Sequence, residues 1–449
     1  MSLFSTSDTK TITHEWIRRF TEFPEPHLGS RDASVQGKVV LLTGSTGAVG
    51  CHILHALVQR PHVSKVYCLI RQNKKGKSNT TDQRIEEILA ENHISEELTP
   101  EQRQKITTIS YDVQNPCRLG ISSEDYETLR KSVNVIVHNA WAVNFVMDIS
   151  GFEAHCRGTF DLLSLAMQSE LKTKPSFVFI STIGAIMNAR PFPVQEKLYG
   201  FEAALNGTNY TISKWATEQI CAAAATSSLS SSPPNGLGTV SIIRLGQICG
   251  DTKHGMWNPK EAVPRCLAAG YTIGFIPATA SHDETLRWLP SDVTGAAIAD
   301  IALLDQISTA ASAAAMKIPS VAVYHIENSK TCRWHGDVLA ALRRHGMTDF
   351  KTLPWHEWAE RLAQSDSNVL RNPPYRLLRF YQMAAAGREV RAADGADANV
   401  RLALDTTQAC RVSPRLAEGT VLDDALFGKF LRYWKTQPDW AGQVYAARL

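Results

Sequence analysis

The sequence lacks the features of secreted, membrane-spanning and metal-binding proteins. Its nine cysteines are an odd number and form no Cys-x-x-Cys pair, which favours reduced thiols in a cytoplasmic protein over a disulfide framework. The first 30 residues contain no apolar signal segment, and no run of 18 apolar residues follows. No spacing of potential ligands is typical of a metal site. A net charge of +3 is too small to indicate a nucleic acid or a membrane surface as partner.

The sequence is long and has the composition of an ordinary globular protein. Its 449 residues exceed the size at which one core stops growing, which predicts two domains or lobes. Helical stretches separate most of the predicted strands, which is typical of an α/β fold with a doubly wound parallel sheet. The seven predicted strands lie near residues 38–43, 65–70, 106–111, 133–137, 176–181, 239–244 and 321–326.

A glycine-rich loop follows the first predicted strand and precedes a helical stretch. Gly44 permits a tight turn, Gly47 lets the backbone approach a pyrophosphate, and Gly50 lets the helix pack closely on the strand. The positive end of that helix would face the phosphates. Ordinary strand-to-helix turns also contain such glycines, but two further motifs favour a dinucleotide. The predicted phosphate-binding residues are Gly44, Ser45, Thr46, Gly47, Ala48, Val49 and Gly50.

The second predicted strand ends in Arg71, at the position where an acidic residue would bind the ribose 2′-hydroxyl of NAD. An arginine there suits a 2′-phosphate, so Arg71 predicts NADPH as the cofactor. Arg84, on the next helical stretch, is a second candidate contact. Three lysines add positive charge nearby, although a solvated loop is favoured over direct contact with the phosphate for at least two of them: Lys74, Lys75 and Lys77.

Tyr210 and Lys214 form a Tyr-x-x-x-Lys pattern, and helical spacing places both on one face. The ammonium group would lower the pKa of the phenol and also reach the nicotinamide ribose. An apolar strand that ends in Ser181 and Thr182 precedes the pattern. Thr182, Tyr210 and Lys214 together therefore predict a general-acid set for carbonyl reduction.

The order and spacing of these motifs resemble the extended short-chain dehydrogenase/reductase superfamily. More narrowly, the chain is similar to the thioester reductase domains that end fungal polyketide synthases, nonribosomal peptide synthetases and carboxylic acid reductases. The sequence departs from that pattern at Asn209, where glycine is common, and at Ser291, where valine is common. The resemblance covers roughly residues 36–449. It is carried by Val39–Gly50, Leu69–Arg71, Tyr111–Val113, Val137–Phe145, Ile180–Ile183, Asn209–Trp215, Arg244–Gly250, Trp288–Asp292 and Tyr324–Asn328.

The resemblance also implies a domain organisation. A lead-in would precede a Rossmann-like NADP-binding domain, followed by a smaller and mainly helical substrate-binding lobe. The implied bounds are 1–35 for the lead-in, 36–250 with 288–328 for the Rossmann domain, and 251–287 with 329–449 for the lobe.

Further site residues follow from the same resemblance. Asp112 and Val113 would contact the adenine, although Asp112 also fits a strand-end cap. Trp141 would line the nicotinamide side of the cleft but could equally be a core aromatic. The remaining nicotinamide-side residues are Asn139 and Ala140, and the residues implied to line the substrate pocket are Asn144, Gln247 and Trp257.

The activity that the resemblance implies is reductive release of an acyl thioester. Hydride from NADPH would convert the thioester on a carrier protein's phosphopantetheine arm to a free aldehyde, with the alcohol as a further product. No carrier or adenylation domain is found in the 449 residues, so we expect an excised terminal domain or a free-standing enzyme acting in trans.

Three alternatives remain open: a fatty acyl-CoA reductase, another extended short-chain dehydrogenase or epimerase, and a non-catalytic NADP-binding sensor. The presence of both Tyr210 and Lys214 argues against a sensor.

Overall fold

A computed structural model describes most of the chain. It covers residues 6–32, 37–72, 80–112, 117–205, 207–227, 237–278, 284–304, 321–393 and 403–442. Val113 and the three lysines Lys74, Lys75 and Lys77 lie outside these described residues.

The chain divides into two compact units, each built from several segments. The first unit comprises Met1–Gly246, Thr294–Ile326 and Leu404–Ala417, and the second comprises Gln247–Val293, Glu327–Ala403 and Glu418–Leu449. The sequence resemblance implies that all of residues 329–449 belong to the substrate-binding lobe, whereas residues 404–417 belong to the first unit. The short helix at Thr407–Val412 packs there against the strand at Val321–Ile326.

Thirteen strands lie in the described residues. In chain order they are β1 (Lys38–Thr43), β2 (Val63–Arg71), β3 (Ile106–Tyr111), β4 (Val135–His138), β5 (Ser176–Thr182), β6 (Val240–Leu245), β7 (Ile248–Cys249), β8 (Phe275–Pro277), β9 (Thr285–Leu286), β10 (Leu289–Pro290), β11 (Val321–Ile326), β12 (Cys332–Arg333) and β13 (Lys351–Leu353).

The described residues also form sixteen α-helices. They are α1 (Thr6–Arg19), α2 (Ala48–Val58), α3 (Thr81–Glu91), α4 (Pro100–Gln104), α5 (Ser123–Ser132), α6 (Glu153–Met167), α7 (Asn209–Ser227), α8 (Ala262–Thr272), α9 (Ser291–Ala302), α10 (Ala340–Arg344), α11 (Trp355–Ala363), α12 (Leu378–Ala393), α13 (Thr407–Val412), α14 (Pro414–Glu418), α15 (Asp424–Thr436) and α16 (Pro438–Ala441). A π-helical turn at Trp334–Leu339 leads into α10.

Seven strands of the first unit form one parallel sheet in the order β3-β2-β1-β4-β5-β6-β11. All seven predicted strands are present, each within two residues of its predicted bounds. Helices flank the sheet, so the predicted Rossmann-like α/β fold is confirmed. The strand order reverses between β1 and β4, and open α/β sheets bind ligands beyond the carboxyl ends of the strands at such a point.

The central strands are apolar because their side chains are buried. Leu41 of β1, Ile136 of β4 and Phe177 of β5 are all fully buried in one core cluster. Burying a side chain of this size contributes about 1.5–3 kcal/mol relative to leaving it exposed. Trp16 of the amphipathic helix α1 and Phe20, which follows that helix, join the same cluster, and α1 packs against α7.

The second unit has its own core, which is rich in tryptophan. Within its described residues the strands form three short pairs, β7 with β10, β8 with β13 and β9 with β12, and most of the other elements are helices. The five tryptophans of the larger core cluster are Trp257, Trp288, Trp334, Trp434 and Trp440. This unit therefore buries aromatic rings where the first unit buries aliphatic strands.

Among the residues that the structure describes, no helix combines the length and apolarity needed to cross a membrane. Within the same ranges, no group of three or more His, Cys, Asp or Glu side chains is placed to share a metal ion.

Candidate active site

The glycine loop has the close packing that the sequence predicted. Gly44 has φ +72°, a left-handed conformation that favours glycine, and a Cβ there would lie 2.8 Å from the Ala140 nitrogen. A Cβ on Gly50 would lie only 1.9 Å from the Gly44 carbonyl oxygen. Gly47 is the N-cap of α2 and makes no side-chain cap, and the first turn of α2 contains no acidic residue. The first N–H groups of a helix have no intrahelical partner, so this terminus can bind an anion.

The other residues of the loop differ in exposure. Ser45 is fully buried, so neither its side chain nor its backbone is exposed to a ligand. Ala48 is exposed beside Gly47, while Thr46 and Val49 are partly exposed. The loop thus presents mainly backbone N–H groups, the pattern expected for phosphate binding.

Two arginines meet at the end of β2. The Arg84 Nη1 atom on α3 donates to the Arg71 carbonyl oxygen at 2.6 Å, and the Arg71 side chain is exposed. Burial raises the pKa of the neighbouring Tyr111 phenol, and the charges of Arg71 and Arg84 act in the opposite direction. Both guanidinium groups therefore lie near one point at the carboxyl edge of the sheet, where two positive charges suit a phosphate.

Asp112 follows β3, and its backbone N–H donates to the Gly120 carbonyl oxygen at 2.8 Å. Arg118, Leu119 and Gly120 all have positive φ values of 49–68°. The turn that accepts the hydrogen bond from Asp112 thus has an unusual backbone conformation. A contact between Asp112 and the adenine stays a prediction.

The residues after β4 are hydrogen-bonded to the glycine loop and to the end of β1. Asn139 Nδ2 donates to the Gly44 carbonyl oxygen at 3.2 Å, and the Ala140 N–H donates to Thr43 Oγ1 at 3.0 Å. Thr43 Oγ1 also lies 2.8 Å from His138 Nδ1. Thr43 was not among the predicted site residues. Its position at the end of β1, directly before the glycine loop, is the sequence feature that indicates its role.

Trp141 forms one wall of the Lys214 site. The Lys214 Nζ atom lies 4.1 Å from the centre of the Trp141 ring and 4.7 Å from that of Phe179, and it donates to the Ile180 carbonyl oxygen at 2.5 Å. His155 stacks on Trp141 with ring centroids 4.8 Å apart. Trp141 therefore packs in the core and contacts the predicted catalytic lysine as well.

The structure brings Thr182 and Tyr210 together. Thr182 ends β5, Tyr210 lies in the first turn of α7, and their side chains are hydrogen-bonded. The Gly184 N–H donates to Thr182 Oγ1 at 3.2 Å, which fixes that hydroxyl. Phe145 lies edge-on to Tyr210, with ring centroids 5.4 Å apart. The sequence analysis missed Phe145, which lies next to a predicted residue.

The predicted effect of Lys214 on Tyr210 is wrong in this structure. Burial raises the pKa of Tyr210 to about 12, and the hydrogen bond from Thr182 opposes this only in part. Burial lowers the pKa of Lys214 to about 7, which the Glu218 carboxylate opposes. Desolvation is the largest cause of both shifts because both groups lie within the protein interior. The phenol is thus a protonated donor at neutral pH.

Of the predicted substrate-lining residues, Asn144 belongs to the first unit. Asn144 is exposed, and its Oδ1 atom accepts from the Val146 N–H at 3.1 Å. Asn209, the departure noted above, donates to the Met147 carbonyl oxygen at 3.1 Å and so ties the same loop to α7.

The other two predicted lining residues belong to the second unit. Gln247 donates to the Ile248 carbonyl oxygen at 2.7 Å. Trp257 is 2% exposed, and its ring centroid lies 5.0–5.5 Å from those of three core aromatics, Trp288, Phe430 and Trp434. Packing explains the Trp257 ring, and a substrate contact at either residue stays a prediction.

Comparison with known proteins agrees with this geometry. The model of a nucleotide-binding family described as male sterility protein, an NAD-binding domain, matches residues 42–298, more than half of the chain. The chain belongs to this family. The glycine loop and the residues after β4 lie within the matched region, which supports a nicotinamide dinucleotide as the ligand of the first unit.

Two relatives show the resemblance at sequence level. The adenylate-forming reductase Nps9 of Serpula lacrymans var. lacrymans is 29% identical over 384 residues, covering 82% of this chain and 32% of Nps9. The 3-methylorcinaldehyde synthase of Sarocladium schorii is 28% identical over 457 residues, covering 95% of this chain and 15% of the synthase. The chain thus spans about a third or less of the curated relatives it matches.

A solved structure shows the fold. The terminal R domain of the myxalamid PKS-NRPS pathway has a TM-score of 0.70 and 22% identity, and the alignment covers 95% of this chain and 98% of that domain. The resemblance to terminal reductase domains that the sequence predicted is therefore confirmed.

Proposed function

We propose that this chain is an NADPH-dependent thioester reductase, which releases an acyl group from a carrier protein as a free aldehyde. The observation that carries the proposal is the placement of Thr182, Tyr210 and Lys214 at the carboxyl end of β5. In the same unit, the glycine loop follows β1. A hydroxyl pair and a buried ammonium group beside a dinucleotide loop suit the reduction of a carbonyl group.

The residues present fit a phosphorylated dinucleotide. The Gly44–Gly50 loop would bind the pyrophosphate through backbone N–H groups at the start of α2. Arg71, with Arg84 behind it, would bind the 2′-phosphate that distinguishes NADPH from NADH. Lys214 would turn from the Ile180 carbonyl to the nicotinamide ribose. When bound, the cofactor supplies a hydride.

The side chains of this unit would stabilise and protonate the carbonyl oxygen. Thr182 and Tyr210, already hydrogen-bonded to each other, would both donate to the oxygen as negative charge develops. Because the pKa of Tyr210 is about 12, the phenol carries its proton at neutral pH and can transfer it. Gain of a hydride and a proton converts the thioester to a hemithioacetal. Collapse of the hemithioacetal then releases the thiol and leaves the aldehyde.

The names of the relatives support this substrate class. One is an adenylate-forming reductase, another is an aldehyde synthase, and the solved structure is a terminal R domain of a PKS-NRPS pathway. Enzymes of these kinds carry acyl groups as thioesters on a phosphopantetheine arm. We therefore propose an acyl or peptidyl carrier protein as the partner. We also propose the cytoplasm as the location.

Tethering predicts that the reaction stops at the aldehyde. A carrier-bound thioester arrives at high effective concentration, whereas a released aldehyde must return from bulk solution. We expect one NADPH oxidised per thiol released, and a much higher kcat/KM for carrier-bound than for free pantetheine thioesters.

A panel of acyl-pantetheine, acyl-carrier and acyl-CoA thioesters tests the proposal, with NADPH oxidation and thiol release measured together. Two NADPH per thiol from the first turnovers would contradict aldehyde release. Equal kcat/KM for tethered and free thioesters would remove the carrier protein, and a preference for acyl-CoA would favour a fatty acyl-CoA reductase.

A further inference from the structure

Glu218 lies one helical turn beyond Lys214 and two turns beyond Tyr210 on the same face of α7. Its side chain is fully buried, and its Oε1 atom accepts from the Ser181 hydroxyl at 2.5 Å. Ser181 lies between the two β5 residues that Lys214 and Tyr210 contact. Three successive turns of α7 thus bind three consecutive residues of β5, and Glu218 provides the last of these contacts.

A buried arginine holds Glu218 in this position. Arg244 of β6 binds it with two hydrogen bonds, Nε to Oε1 at 2.9 Å and Nη2 to Oε2 at 2.6 Å. Both side chains are 0% exposed, and Arg244 is the register partner of Ser181 across the sheet. Arg244 Nη1 also donates to the Lys197 carbonyl oxygen at 3.0 Å and lies 3.1 Å from His325 Nε2. A two-point bond of this kind fixes orientation as well as charge.

The other titratable groups coupled to Lys214 carry no charge at neutral pH. Burial lowers the pKa of the two histidines, and burial raises the pKa of the two thiols. The four groups are His138 on β4 (pKa about 3), His155 on α6 (about 4), Cys156 on α6 (about 12) and Cys221 on α7 (well above its usual value). Among the described residues coupled to Lys214, the Glu218 carboxylate is thus the one negative charge.

We propose that Glu218, oriented by Arg244 and Ser181, is a positioning residue that holds the reactive face of α7 against β5 and presents a buried carboxylate to Lys214, one helical turn away. The proposal rests on the proposed reductase function, because it assigns Glu218 a role through Lys214. It goes beyond that function by naming a residue that need not touch the substrate or the cofactor.

The charge of Glu218 is tested by the pH dependence of NADPH binding, measured by cofactor fluorescence on the full chain. Removal of the carboxylate charge makes protonation of Lys214 less favourable. The pH at which NADPH affinity falls should therefore be about one unit lower in Glu218→Gln than in the unmodified protein. Glu218→Asp retains the charge, so its NADPH affinity should fall at the same pH as that of the unmodified protein. The matched control is Glu127→Gln, a carboxylate on α5 that pairs at the surface with Arg130 and should leave the profile unchanged. A folded Glu218→Gln variant with the unmodified profile would overturn the proposal.

Loss of one partner of a buried ion pair can prevent folding, so circular dichroism and a thermal melt accompany each variant. Ser181→Ala keeps the ion pair and removes only the contact to β5. We expect its kcat for thioester reduction to fall about tenfold while its NADPH dissociation constant changes less than about twofold, because misplacement by a fraction of an ångström affects the transition state most. Ser132→Ala on α5, where the hydroxyl donates to a surface backbone carbonyl, is the control.

An unchanged kcat in Ser181→Ala would overturn the positioning role, even if Glu218→Gln does not fold. These results are separable from failure of the proposed function. An unmodified protein that reduces no thioester contradicts the function, whereas the binding profiles test Glu218 without a thioester.

Discussion

The contact between Gly50 and the Gly44 carbonyl makes a sharp test of the dinucleotide loop. A Cβ at position 50 would lie 1.9 Å from that oxygen, 2.8 Å from its carbon and 3.0 Å from Asn139 Nδ2. Backbone atoms cannot turn aside as a flexible side chain can. In Gly50→Ala, therefore, α2 and the loop must separate by roughly 1.5 Å to reach ordinary van der Waals contact.

Gly158→Ala is the matched control. Gly158 lies in α6, and a Cβ there would meet nothing within 4 Å. Alanine is favoured over glycine in a helix by about 1 kcal/mol, so this variant should be slightly more stable than the unmodified protein. Both variants add one methyl group to a helix, and only the environment of that methyl differs.

The expected difference follows from these environments. Overpacking costs about 1–3 kcal/mol, and the helix preference of alanine offsets only part of that cost at position 50. The two variants should then differ by about 2 kcal/mol in free energy of unfolding, or about 4–8 °C in Tm. NADPH affinity should fall about tenfold or more in Gly50→Ala alone, because the displaced N–H groups no longer converge on the phosphates. If Gly50→Ala melts and binds NADPH as Gly158→Ala does, the close packing is not what shapes the loop.

Three further predictions concern the cofactor and the chemistry. Arg71→Ala should narrow the preference for NADPH over NADH by one to two orders of magnitude, since a charge-assisted bond contributes roughly 1.5–3 kcal/mol; equal use of both cofactors by the unmodified protein would refute this role. Tyr210→Phe should lower kcat by about 10²–10⁴-fold with NADPH binding retained, and Lys214→Ala should impair both; normal turnover in Tyr210→Phe would move the chemistry elsewhere. NADPH affinity should fall as the pH rises above about 7, because burial lowers the pKa of Lys214 to about 7 and the ammonium form binds the ribose. A fluorescence titration between pH 6 and about 9 checks this, and a flat profile would contradict it.

The sequence by itself determined the sheet and the backbone of the cofactor site. Seven apolar segments separated by helical stretches predicted the seven parallel strands, because buried strands and helices leave local patterns. The glycines of the loop could be recognised from their spacing after an apolar strand, although the contacts that exclude a Cβ at Gly44 come from Asn139 and Ala140 after β4. The spacing of Tyr210 and Lys214 required only helical geometry.

Tertiary structure alone decided the electrostatics of the site. The expectation that Lys214 lowers the pKa of Tyr210 was wrong because the burial of both groups depends on α6, β5 and β6, which pack against α7. No local pattern indicated that Arg84 would reach the Arg71 carbonyl, or that Phe145 would contact Tyr210.

The same limit applies to the units of the chain. The sequence places residues 404–417 among the helices of the second unit, but β11 of the first unit supplies the surface on which α13 packs. No local pattern showed that three other aromatic rings surround Trp257. Residue type and spacing show which chemical groups are present. The burial and the contacts of each group depend on elements that are distant in the chain, and burial and contacts set its pKa and its hydrogen-bond partners.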